Sequence, residues 1–175
     1  MFETIILLLL VSIGIRGVVG LSLIMPWKSD PVLLVVLTCG VALGKALGGI
    51  LGDRYGWTKV ALTGLIVSAP LLAFFSRVPF IAIIGAFFFN LTMPITLTCL
   101  AEMLPGKNGF AFGLTTLALI IGAWPTFTQL RVLTSNQLFM FSIVVASIAA
   151  LHGGLKLYVD HFGDQTRVQQ DQARP

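Results

Sequence analysis

Apolar residues run along this chain in long blocks, broken at near-regular intervals by short clusters of charge, glycine and proline. The first block extends from Thr4 to Met25 and is interrupted only by Arg16; the second, Pro31 to Gly52, is interrupted only by Lys45. Val60–Ser76, Val78–Ala101, Asn108–Leu130 and Val132–Leu155 follow without Asp, Glu, Lys or Arg. At a rise of about 1.5 Å per residue, each block can cross a hydrocarbon core about 30 Å thick. Turn chemistry separates them: Pro26 to Pro31, Gly52 to Lys59, Arg77-Val78-Pro79, Pro105 to Gly109, and Arg131 to Gln137. No amphipathic stretch is present to cover a water-soluble core, so the pattern predicts an all-α membrane protein of six transmembrane helices.

Composition sharpens this. The chain is 57% hydrophobic and 10% charged, against about 25% charged in soluble domains. Its few charges are enough for loops and too few for a soluble surface. Met1 to Thr4 carries no positive charge and the apolar run after it outlasts a signal-peptide core, so the first span is expected to stay. Residues 1–159 read as one transmembrane domain and 160–175 as a short solvated tail. If both termini share one side, that side holds Arg54, Lys59, Lys107, Lys156, Arg167 and Arg174, and the other only Lys28, Arg77 and Arg131. The imbalance predicts cytoplasmic termini, in what is expected to be a bacterial inner membrane. Cys39 and Cys99 fall inside spans and read as buried thiols. His152 and His161 are too isolated for a metal site, and no nucleophile, phosphate-binding or dinucleotide motif occurs. Neither enzymatic chemistry, a cofactor nor nucleic-acid binding is implied.

One segment has motif-like spacing: Gly48 to Val60, GGILGDRYGWTKV, between the second and third spans. Gly49 and Gly52 allow close packing at a helix end, Asp53 can accept hydrogen bonds from an adjacent helix start, and Arg54 and Lys59 suit anionic headgroups. Gly49, Leu51, Asp53, Arg54 and Gly56 resemble the loop signature of the major facilitator superfamily, Gly-x-Leu-x-Asp-Arg-x-Gly-Arg-Lys. Trp57 and Thr58 stand where that family usually has basic residues, and Lys59 supplies the remaining one. The stretch from Pro94 to Gly122 is similar to the fourth helix, short loop and fifth helix of the same family. Its members usually join two parallel six-helix halves, with the transport path between them. The resemblance therefore implies a half bundle completed by dimerisation, with Asp53 and Arg54 in a cytoplasmic gate together with Gly49, Gly56 and Lys59.

Gly40, Gly44, Gly48 and Gly52 form a stripe at i,i+4 spacing on the second span, and Gly109 and Gly113 share that spacing on the fifth. The resemblance makes Gly40, Gly44, Gly48, Gly109 and Gly113 candidates for a dimer seam; packing inside one chain is the alternative. Ionisable residues in mid-span are costly and should face a cavity or a partner. Arg16, flanked by Gly14, Gly17 and Gly20, is the leading candidate for binding substrate, since its planar fork suits carboxylate or phosphate. Lys45 either joins that cavity or snorkels. Asn90, Pro94 and Thr98 at i,i+4 spacing suggest a polar, kinked cavity helix. No Asp or Glu lies inside a span, Glu102 being at an end, which favours an anionic substrate over cation–proton antiport. The expected protein is a half-size transporter that moves a small organic anion or anionic amphiphile by alternating access. It would act as a homodimer, contacting membrane lipids and a second copy of itself. A heterodimer with a separate six-helix half, or a non-transporting subunit or lipid-binding scaffold, are the alternatives.

Overall fold

A computed structural model describes residues 2–23, 25–124 and 136–172, with the side chains of Ser22 and of 161–172 excepted. Among the described residues, α1 covers Phe2–Ser22, α2 Pro31–Tyr55, α3 Trp57–Phe75, α4 Pro79–Asn90, α5 Thr92–Met103, α6 Asn108–Ala123 and α7 Gln137–Gln172. A short 3-10 turn, Pro26–Ser29, links α1 to α2. Five stretches are long and apolar enough to cross a membrane: Phe2–Leu21, Pro31–Tyr55, Trp57–Phe75, Pro79–Met103 and Gln137–Asp160; α6 is a shorter apolar helix. The chain is thus all-α and compatible with an integral membrane protein. Pro125, Arg131 and Arg174 lie outside the described residues, as does the end of the expected fifth span. The last helix continues well past the apolar block, to Gln172.

Local chemistry sets the boundaries. Asp30 caps α2 by accepting from the Val32 and Leu33 amides at 2.9 and 3.4 Å, with Pro31 in the first helical position. Asn136 does the same for α7 through the Leu138 amide, at 3.0 Å. Gly56 joins α2 to α3 with φ at +96°, a conformation that disfavours a side chain, and its amide closes the last turn onto the Gly52 carbonyl at 2.9 Å. The fourth span is two helices. Pro94 has no amide to donate one turn back, so α4 ends at Asn90 and α5 restarts at Thr92, which puts the proline in a first turn where that loss breaks no helical bond.

In lipid, burying apolar surface gives helices little reason to associate, and close packing of small residues takes over. Contacts run α1 on α6 and α7, α3 on α4 and α7, and α2 on α4 and α5. A Cβ on Gly48 would lie 2.8 Å from the Leu91 carbonyl carbon and Cα, one on Gly44 2.5 Å from the Phe87 carbonyl oxygen, and one on Gly64 2.8 Å from that of Phe88. The stripe on α2 is therefore spent inside the chain, on the broken α4–α5 span. Gly40 and Gly52 extend the same seam, with a Cβ on either 3.2 Å from the side chains of Ile83 and Ile95 respectively. Gly17 and Gly122 bring α1 against α6 in the same way; a Cβ on Gly17 would sit 2.8 Å from the Leu119 carbonyl oxygen. Between α1 and α7, the buried Ser12 and Ser147 hydroxyls meet at 3.0 Å.

The loops pair by end. Trp27, after α1, donates from its indole to the Ser76 carbonyl after α3 at 2.9 Å. The α2–α3 hairpin shares the opposite end with Glu102 of α5 and Tyr158 of α7.

Candidate functional site

Arg16 is among the most deeply buried side chains, at 1% exposure. Its partners are neutral. Nε donates to the Ser12 carbonyl on its own helix at 3.4 Å, Nη1 to the Thr92 hydroxyl, and Nη2 to the Thr96 hydroxyl at 2.9 Å. Among the described residues no carboxylate pairs with it. Neither threonine is among the residues that the sequence pattern marks for the cavity. The signal that could have found them is their i,i+4 spacing immediately after the helix break, with Pro94 between them.

A cavity of about 390 Å³ lies beside the guanidinium. Arg16, Lys28, Lys45 and Asn90 are its polar lining residues beside apolar walls that include Leu37, Phe89, Met93 and Leu119. Among the described residues it carries three cationic side chains and no carboxylate, so its field attracts anions. Lys28, outside the spans, is half-buried there, and that desolvation lowers its pKa below the ordinary lysine value. Asn90 is buried, and its amide donates to the Ala86 carbonyl at 2.8 Å. A second cavity, of about 410 Å³, shares Lys45, Met93 and Leu119 with the first and reaches Thr96, Thr115 and Phe112. Lys45 is exposed and lines both.

Of the expected site residues, Arg16, Lys45 and Asn90 come together at one cavity. Thr98 does not: it is exposed and lines neither cavity. A helix advances about 100° per residue, so Thr98 lies roughly 200° from Thr96, on the far side of α5. Two of the three glycines that flank Arg16 pack against a neighbouring helix. Gly14 and Gly17 bring α6 close, and only Gly20 is open, with nothing within 4 Å of a Cβ.

The motif gathers a second group at the opposite end. Asp53 accepts from the Trp57 indole at 3.1 Å, so its partner at the start of α3 is a side chain and not the backbone. Trp57 stacks on Tyr158 with ring centroids 6.1 Å apart and planes at 23°, and Tyr158 donates to the Glu102 carboxylate. Arg54 rests over the Tyr55 ring at 5.6 Å. Asp53, Gly56, Lys59 and Glu102 line one surface depression there. Gly49 only brushes Pro94, at 3.9 Å from a Cβ. Gly109 and Gly113 meet nothing within 4 Å and leave that stretch of α6 open, while Gly40, Gly44 and Gly48 are engaged within the chain.

Compared with protein-family profiles, curated proteins and solved structures, the chain matches none.

Proposed function

We propose that this chain is a half-size membrane transporter of the major facilitator type, which works as a parallel dimer and carries an organic anion or anionic amphiphile by alternating access. One observation carries the reading. A permanently charged side chain is buried among neutral partners, at the wall of a cavity that, among the described residues, two further cations line and no carboxylate does. A guanidinium cannot shed its proton to relieve that burial. An anionic ligand would neutralise it; a purely structural arginine is normally paired with a carboxylate.

A second copy related by a twofold axis along the membrane normal would complete the transport path beside this cavity. The open Gly109–Gly113 stretch of α6 is the candidate seam. The Asp53–Trp57–Tyr158–Glu102 chain ties α2, α3, α5 and α7 together at the proposed cytoplasmic end, where it would hold one state of the cycle. Both termini lie on that side, in the inner membrane of a bacterium.

Purified chain in proteoliposomes tests this, with efflux of preloaded organic anions read alongside the particle size in nanodiscs. Flux from a dimer, lost in Arg16→Gln and Arg16→Lys variants that remain dimeric, supports the reading. Sustained flux from a strict monomer, or flux that is unchanged without Arg16, overturns it. No flux until a second six-span protein is added assigns the chain to a heterodimer, and no flux in either case leaves a scaffold.

A further inference from the structure

The hydroxyls of Thr92 and Thr96 have only one way to meet Arg16. Each carries a single proton, and each proton already has a carbonyl acceptor in the α4–α5 span. Thr92 donates to the Phe89 carbonyl at 2.9 Å, and Thr96 to those of Met93 and Thr92 at 3.0 and 3.2 Å. Toward the guanidinium both hydroxyl oxygens can therefore only accept. An arginine has five N–H bonds: Nε uses its one on Ser12, and Nη1 and Nη2 each use one of two on a threonine. One N–H is left on each terminal nitrogen of a side chain that lines the cavity.

We infer that Thr92 and Thr96 are positioning residues that select the ligand. Held at three points, the guanidinium plane is fixed, and its two spare N–H bonds match an anion that offers two oxygens at the spacing of a carboxylate or phosphate. A monatomic anion can use the charge and not the fork. The two threonines therefore set a preference for oxyanions over halides, whereas the lysines, as point charges on flexible stems, attract both kinds alike. The helix break is what makes this possible. Restarting the helix at Thr92 puts both hydroxyls on the α1-facing side, four residues apart.

This rests on Arg16 being the anion site, and the test separates the two claims. Purified full-length protein in nanodiscs is titrated with sodium acetate, inorganic phosphate and sodium chloride, and the dissociation constant for each is read from its protection against thermal unfolding. Wild type is expected to bind acetate and phosphate at least tenfold more tightly than chloride. Thr92→Val with Thr96→Val should bring that ratio to within about twofold of unity, and Thr→Ser at both positions should keep it. If the double valine variant does not fold, each single Thr→Val variant should lower the ratio on its own, and Thr→Ala reads it where valine is not tolerated. A ratio unchanged in the threonine variants, with binding lost in Arg16→Gln, overturns the positioning role and leaves the anion site standing. Wild-type affinities that survive in Arg16→Gln overturn both, whereas a wild type that binds acetate no more tightly than chloride overturns the positioning role alone.

Discussion

Gly48→Ala should loosen the bundle from within, whereas Gly113→Ala should not. A methyl on Gly48 would lie 2.8 Å from both the carbonyl carbon and the Cα of Leu91, and would overlap its carbonyl oxygen. Ordinary carbon–carbon contacts sit at about 3.5–4.0 Å, so α2 must retreat by about 1 Å, and a gap of that size forfeits a quarter to a half of each contact's attraction. Overpacking costs typically about 1–3 kcal/mol, and the upper end applies because the blocking atoms are backbone and cannot rotate away. Alanine returns up to about 1 kcal/mol of helix propensity, leaving a net loss of about 2 kcal/mol. In a chain of this size each kcal/mol moves the melting temperature by roughly 2–4 °C, so the midpoint should fall by roughly 4–8 °C.

At Gly113, where nothing among the described residues of the chain itself lies within 4 Å of a Cβ, only the propensity gain applies to a single chain, whose midpoint should hold or rise by about 2–4 °C. Cys99, fully buried, reports the transition: in a Cys39→Ser background a thiol-reactive dye labels it only once the bundle opens. If Gly48→Ala melts with wild type, α2 does not meet the α4–α5 span as described. Dissociation of the proposed dimer in Gly113→Ala, with a single chain no less stable than before, would place the seam on α6.

Three further outcomes follow from the same packing. Leu151 is fully buried, and Leu151→Ala should cost about 2–5 kcal/mol in the same melt, with a loss under 1 kcal/mol removing α7 from the core. Tyr158→Phe should cost about 1 kcal/mol, and a double-mutant cycle with Glu102→Gln should show coupling of at least about 0.5 kcal/mol; additive losses would dissolve the link between α5 and α7. Lys28 has its pKa lowered by desolvation, so between that value and the ordinary 10.5 the unfolded chain binds more protons than the folded one. Stability should therefore rise with pH across this alkaline window, and Lys28→Gln should flatten the rise; an identical profile in the variant would refute it.

The all-α character and the places of the long apolar helices were legible because apolar blocks of membrane-spanning length need no periodicity to be recognised, and Asp30, Gly56 and Pro31 mark ends by ordinary capping chemistry; the break that makes two helices of the fourth block was not. Facing was not legible. A membrane helix is apolar toward lipid and toward its neighbours alike, so nothing in the pattern around Thr98 says that it points away from Arg16 while Thr92 and Thr96 point toward it. The glycine stripe on α2 shows the same limit from another side. Its spacing announces a close contact but not with which helix, and the answer lies in the broken α4–α5 span, whose Phe87 and Leu91 backbone the stripe meets. The Trp57–Tyr158 stack was hidden for a third reason: it joins residues about a hundred positions apart, through the end of a helix whose direction only the assembled bundle fixes.

Burying Arg16 is tolerable for stability and wasteful unless the charge has a use. Inserting an arginine at mid-span costs about 2.5–3.5 kcal/mol on the insertion scale. Hydrogen bonds to a charged group return about 1.5–3 kcal/mol each, so the bonds to Ser12, Thr92 and Thr96 can offset that cost. A glutamine here would donate to the same kind of neutral acceptors without the desolvated charge, and for packing alone it would be the cheaper choice. What arginine adds is a fixed positive charge and spare donors, both of which suit the anion proposed to enter the cavity. The two roles separate under one substitution. Arg16→Gln should leave the melting temperature of the empty protein within a few degrees of wild type and remove the protection that acetate or phosphate confers. A large loss of stability in the empty protein, with anion protection intact, would make the arginine a strut.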